Sequence, residues 1–213
     1  MTHPQHNSMV TPRADHRNTT NAWALRYVFR LCKRLLTTLW GTFDAIRPER
    51  EISLMAARLE SVAKYICERT GWTKSNLELQ KLLYLAQMFH MGRNNGARLF
   101  DGEFQAWDYG PVEPDLYHRA KIFGADRVQD IFHNALTFKE SDPRRKVMDD
   151  VCAKFAKYGA GDLVDITHWD EGAWARNYVP SRRHIIIPDR EIWEEYNTRQ
   201  ERARERRSRG VQS

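Results

Sequence analysis

The chain's stock of reactive groups is eight histidines, 28 acidic side chains and three cysteines, and spacing decides how much they can do. His168 follows Thr167 and stands two residues before Asp170, so a base and a carboxylate can be set side by side on paper. Asp108 beside Trp107, and His90 and His118 at helical positions, are isolated in the same way. General acid–base chemistry needs a second group to orient the first, and a place for the substrate; no spacing here supplies both. A lone histidine beside aromatics is more often a hydrogen-bonded structural residue than a base, and His168 is read that way here. GxGxxG and GxxxxGK[ST] do not occur, nor do HExxH, paired CxxC or a DxDxDG loop. The residues therefore predict no cofactor and no metal, and give no positive ground for an enzyme.

Recognition is the other chemistry on offer. Trp107, Tyr109 and Trp174 are large rings with a polar tip, the side chains favoured both as interface anchors and as fillers where helices meet. Trp107 and Tyr109 flank Asp108 in a segment that continues Gly110-Pro111-Val112. A glycine free to take positive φ beside a proline with fixed φ makes a rigid corner rather than a slack connection.

The elements that hold this corner are mostly helical. Leu79, Leu82, Leu83, Ala86 and Phe89 recur near the helical period, with Ser75 and Glu78 spaced as a capping box. Upstream, residues 51–69 predict a helix with Ile52, Met55, Leu59, Val62 and Ile66 on one stripe and Gly71 beyond its end. Helix, glycine turn, helix could read a DNA groove, but the apolar run LLYLAQMFHM asks for burial. Residues 99–107 predict a short strand, or a hairpin turning at Asp101-Gly102. After the corner, Pro114 suits the first helical position, with Val112, Leu116, Ala120 and Phe123 inward and Gly124 stopping the helix. Asp142-Pro143 opens another helix, with Met148, Val151, Phe155 and Tyr158 inward and Gly159 at its end. Leu163, Val164 and Ile166 suggest a short helix, and residues 185–187 a buried extended segment. Asp189 is placed to cap a last helix that leaves the core after about Tyr196.

Charge separates the ends from the body. The formal net charge is +6, but residues 13–34 carry six basic side chains against one acid, and residues 199–209 carry six arginines against two glutamates. What lies between is mildly acidic, so any contact with a polyanion, weak and sequence-poor, belongs to the ends. Residues 23–46 form an amphipathic, basic helical pattern, with Val28, Leu31, Leu35, Leu39, Phe43 and Ile46 opposite Arg26, Arg30 and Lys33, ended by Pro48. Such a helix suits an anionic membrane surface, an acidic protein groove, its own domain or a second copy of the chain. Residues 1–21 are polar and without apolar period, which predicts disorder. No run of about 18 apolar residues predicts a transmembrane span. Cys32, Cys67 and Cys152 are far apart and odd in number, which suits a reducing cytoplasm better than a disulfide framework.

Three segments together resemble a known family: LQKLLYLAQ at 79–87, FDGEFQAWDYGPVEPDLY at 100–117 and LVDITHWDEGAW at 163–174. Their order and spacing are similar to the Panacea domain of the SocA-like antitoxins, over about residues 52–196, with Ile166 where the family often carries leucine. The resemblance implies a non-enzymatic, mainly α-helical domain that neutralises a cognate protein toxin by direct binding, as one half of a two-gene toxin–antitoxin pair. It leaves the toxin unnamed, since family members oppose toxins of unrelated types, and one member acts as an adaptor delivering its toxin to a protease. A DNA-binding regulator using the basic tail is the alternative from another class.

The expectation is a mainly α protein: one compact helical domain with at most a short β-hairpin, an N-terminal amphipathic helix and a basic C-terminal tail. Its parts are a disordered 1–21, a helical extension at 22–50, a Panacea-like domain at 51–198 and an arginine-rich tail at 199–213. The motif residues carried over are Trp107, Tyr109, Gly110, Pro111, Val112, Tyr117, Thr167, His168 and Trp174, either as framework or as toxin contacts.

Overall fold

The computed structural model describes residues 55–182 and 184–210, and at its centre is a helix buried on nearly every side. The expectations for residues 1–21, for the helix at 23–46 and its end at Pro48, for Ile52 and for Cys32 lie outside the described residues. The central helix is Asn76–Arg93, here α2, with 13 of its 18 residues buried. Its start is the expected capping box: Ser75 Oγ accepts the Glu78 amide at 3.4 Å, and the Ser75 amide donates to Glu78 Oε2 at 2.9 Å. A helix apolar all round must be covered all round. The cover comes from α1 (Leu59–Arg69), α3 (Pro114–Ala120), α4 (Pro143–Phe155), α5 (Ala160–Thr167) and α7 (Asp189–Gly210), with the short α6 (Ala173–Asn177) against α7. α2 has no face left for a DNA groove, which removes the helix-turn-helix reading.

Strands are few and short. β1 (Ala57–Arg58) pairs in parallel with β2 (Phe100–Asp101), and β3 (Gln105–Trp107) pairs antiparallel with β4 (Gly110–Val112). On the other side of β3, the Ala106 amide donates to the Ile185 carbonyl and the Ile187 amide to the Phe104 carbonyl. Residues 185–187 thus run beside the hairpin, with Ile187 buried and Ile186 half exposed.

Several local expectations are corrected. The hairpin turns at Asp108-Tyr109, closed by the Trp107–Gly110 pair, and not at Asp101-Gly102. Gly102 instead lies against the Phe100 ring, 2.7 Å from where a Cβ would stand, while β2 takes β1 as its partner. α1 begins at Leu59 rather than near residue 51, because Ala57 and Arg58 are drawn into that pairing; Met55 is 72% exposed, off the buried stripe. α4 ends at Phe155, leaving Tyr158 beyond it, and Gly159 is the N-cap of α5. Asp189 opens α7, but its carboxylate is engaged by Arg98. Beyond Tyr196, where it is expected to leave the core, α7 continues as a helix through the arginine-rich stretch to Gly210. Arg190–Glu194 and Glu195–Arg199 pairs, each four residues apart, support it, along with an ion pair from Arg202 to Glu171.

α2 and α7 approach closely at Gly92, where a Cβ would stand 2.0 Å from the Tyr196 ring. Alanine is the better helix former by up to about 1 kcal/mol, yet Gly92→Ala is expected to lower stability by about 2 kcal/mol through overpacking. Chemical denaturation checks this. Adding Tyr196→Ala to Gly92→Ala should recover part of the loss, whereas purely additive effects would place the strain elsewhere.

Candidate functional site

The corner is built on a lysine that the sequence pattern assigns no role. Lys81, on α2, is fully buried, and its Nζ donates to the Pro111 carbonyl at 2.9 Å. One residue earlier, Gln80 grips the same strand end: its Oε1 accepts the Glu113 amide at 2.8 Å and its Nε2 donates to the Glu113 carbonyl at 3.2 Å. Glu113 in turn caps α3, its carboxylate accepting the Leu116 amide at 2.7 Å. A single turn of the central helix therefore fixes where β4 ends and where α3 begins.

Gly110 is the point of closest approach. Its φ is +95°, and a Cβ there would stand 2.9 Å from Lys81 Nζ and 3.1 Å from His168 Nε2. Both conformation and space therefore require glycine. The His168 ring lies flat on Trp174, centroids 3.7 Å apart at 8°, and Trp174 stacks in turn on Tyr178 at 4.7 Å and 20°. Trp174 Nε1 donates to the Trp107 carbonyl at 2.8 Å, tying the stack to the hairpin. The Trp107 ring meets Tyr117 edge to face at 4.8 Å. Tyr178 closes the far side through its hydroxyl, which donates to Asp108 at 2.9 Å.

The structure thus brings Trp107, Gly110, Pro111, His168 and Trp174 into one cluster, with Tyr117 at its edge. Val112 is buried within β4. Thr167 is buried, its hydroxyl turned back on the Leu163 and Val164 carbonyls of α5 at 3.0 and 3.1 Å, just before the helix releases His168. Tyr109 stands apart: it is 69% exposed, at the hairpin tip. Beside it opens a cleft of about 550 Å³ whose walls include Leu77, Trp107, Val112, Tyr117 and Arg182. Lys81 and Gln80 were missed as site residues. Their signal is two polar side chains inside an apolar helix that cannot reach water, which must find partners inside.

Electrostatics make the buried core of the corner unsuited to holding charge. Burial pushes Lys81 down to about 7. His168 is also lowered, first by burial and then by the Lys81 charge. Its Nε2 is shut from solvent and makes no hydrogen bond, while the Lys81 amine, equally enclosed, keeps its bond to the Pro111 carbonyl. Among the described residues no group of three or more His, Cys, Asp or Glu could hold a metal ion, and no helix is long and apolar enough to cross a membrane.

With the geometry in place, comparison with known proteins is informative. Residues 79–175 match the family described as "Antitoxin SocA-like, Panacea domain". That span begins two residues before Lys81 and ends one residue after Trp174, so the matched segment contains Lys81, Trp107, Gly110, Pro111, His168 and Trp174, while Tyr178 lies beyond it. Antitoxin SocA of Caulobacter vibrioides (strain NA1000 / CB15N) is 33% identical over 115 residues, which cover 47% of this chain and 57% of that protein. The chain thus spans little more than half the length of this curated relative. No solved structure matches it.

The lysine imposes a pH signature. Its folded value lies below its unfolded one, so between about 7 and 10.5 the unfolded chain holds more protons and stability rises with pH. His168, lowered from 6.5, acts only at more acidic pH. The buried thiols of Cys67 and Cys152, pushed up to about 12 and about 11, act in the opposite sense from about pH 9. Between pH 7 and 8.5 the wild type should gain about 1–2 kcal/mol, and Lys81→Met should flatten that slope. Equal slopes in urea titrations of the two proteins would show that Lys81 is charged when folded.

Proposed function

We propose that the protein is an antitoxin that neutralises a cognate protein toxin by direct binding, and that the hairpin tip with its adjoining cleft is the contact surface. Both the match to the Panacea domain of SocA-like antitoxins and the similarity to Antitoxin SocA support an antitoxin role. The observation that carries the choice of surface is Tyr109, an aromatic left 69% exposed on a turn whose backbone is otherwise held rigid.

With its backbone already fixed, an exposed aromatic costs only the ordering of its own side chain, so a partner that covers it gains area without freezing a loop. Tyrosine is the type of side chain that concentrates binding energy at interfaces. Trp107 and Tyr117 offer a cleft wall next to it, and Arg182 at the rim offers a charge to an acidic partner. Neutralisation in this reading needs no bond-making step: the toxin's active surface is covered. The lysine, histidine and tryptophan behind the turn serve by keeping its shape.

Co-expression with the product of the adjacent gene tests this. That product should arrest growth alone and be relieved by the wild-type chain; a harmless product, or one that kills regardless, contradicts the proposal. Tyr109→Ala should abolish relief while the melting temperature stays within about 1 °C, since an exposed side chain is removed. Gly110→Val should abolish relief and stability together, costing about 3 kcal/mol or more from strained φ and overlap with Lys81 and His168. Full relief by Tyr109→Ala would move the interface off the hairpin tip.

A further inference from the structure

We infer that the C-terminal part of α7 is a nucleic-acid arm, in which an arginine stripe continued from the helical core grips the phosphodiester backbone independently of the toxin surface.

Position decides which arginines are free. Arg199, Arg202, Arg206 and Arg209 lie at i, i+3, i+7 and i+10 and share one face of α7, a stripe about 15 Å long at the helical rise. The inner two are already engaged. Arg199 pairs with Glu195 at 2.8 Å, donates to the Ile166 carbonyl at 2.7 Å and lies over the Trp169 ring at 4.5 Å. Arg202 reaches both carboxylate oxygens of Glu171, at 2.8 and 2.9 Å. Those bonds anchor the arm to the body. The outer two, Arg206 and Arg209, are exposed and have no carboxylate within ion-pair reach among the described residues; the same holds for Arg204 and Arg207 on the adjoining face. Along the stripe runs a groove of about 380 Å³, lined by its arginines with Trp169 and Ala203 and also by the Glu171 and Glu205 side chains.

Three features fit a phosphate backbone. The cations are all arginine, whose planar fork matches phosphate oxygens two at a time. The stripe's length matches about four successive phosphates of one strand at 3.4 Å of axial rise each. The middle of the chain, residues 35–198, carries 25 acidic side chains against 22 basic ones, so a polyanion is drawn to the basic ends, of which the arm is one, and not across the body. Contacts of this kind hold the backbone and read no bases.

Fluorescence anisotropy of the full chain with a labelled 20-mer, single-stranded in one arm and duplex in the other, tests the proposal; the preferred strand form identifies the source of the phosphates. With about three phosphates neutralised, affinity should fall about 20- to 40-fold between 50 and 200 mM salt. Arg206→Ala/Arg209→Ala, at exposed helix positions, should leave circular dichroism and melting unchanged while reducing the salt slope by about two. Arg30→Ala/Lys33→Ala/Arg34→Ala, in the other basic run, should leave the slope nearly unchanged. No binding at 50 mM salt overturns the proposal. So does an unchanged slope in the arm variant, or competition by polyglutamate as effective as that by the oligonucleotide at equal charge. None of these readouts involves the toxin, so the antitoxin reading stands or falls separately.

Discussion

A lysine amine buried in the middle of the protein donates to one backbone carbonyl, and the shape of the hairpin corner follows from that bond. Lys81 Nζ to Pro111 O, at 2.9 Å, ties the central helix to β4, and the amine sits so close to Gly110 that no side chain fits between them. Burying an ammonium group away from any carboxylate costs several kcal/mol, and the cost is reduced by releasing the proton. A neutral amine still donates, so the tie survives deprotonation. The arrangement is specific because it is demanding: glycine at 110, a carbonyl at 111 and a flat ring at 168 must all coincide.

The other end of the same framework is a carboxylate. Glu195 on α7 is fully buried; it accepts from the Tyr84 hydroxyl at 2.6 Å and from the Ala173 amide at 2.8 Å, and pairs with Arg199. It therefore joins α2, the start of α6 and α7 in one network. Placing Ala173 also places Trp174, whose indole reaches back to Trp107 and whose face carries His168. The backbone must pass close to do this: a Cβ on Gly172 would stand 2.8 Å from the Trp169 carbonyl and 3.1 Å from Glu195 Oε2. Burial and the neighbouring Glu195 charge keep the Tyr84 phenol protonated, raising it well above its usual range, so it remains a donor to that carboxylate. One buried amine and one buried carboxylate group, both on helices packed at the centre, thus set the position of a surface turn.

Local chemistry was readable in the chain, and non-local chemistry was not. The Ser75–Glu78 capping box, Pro114 at the start of α3 and Asp142 at the start of α4 are set by neighbours a few residues away, and all are found. The corner itself is legible because Gly110-Pro111 restricts the backbone whatever surrounds it. The turn lies seven residues beyond Asp101-Gly102, which has the composition of a hairpin, because Phe100 pairs with Ala57, far away in sequence. Lys81 was passed over because periodicity treats lysine as a solvent-facing residue; only the enclosure of α2 on all sides shows that this one has no route to water. The extent of α7 is legible only in part: past residue 199 it has no apolar period, and its tie to the body there is the Arg202–Glu171 pair, which hydrophobic patterning does not register.

The proposed presentation of the hairpin tip to a toxin by the buried framework around Lys81 can be read by amide hydrogen exchange on the purified pair. On addition of the toxin, slowed exchange is expected at residues 107–110 and in the neighbouring loop around 182, with the amides of α2, already protected by burial, unchanged. Protection confined to the far end of α7 or to residues 1–54, with the hairpin exchanging as in the free protein, would contradict it.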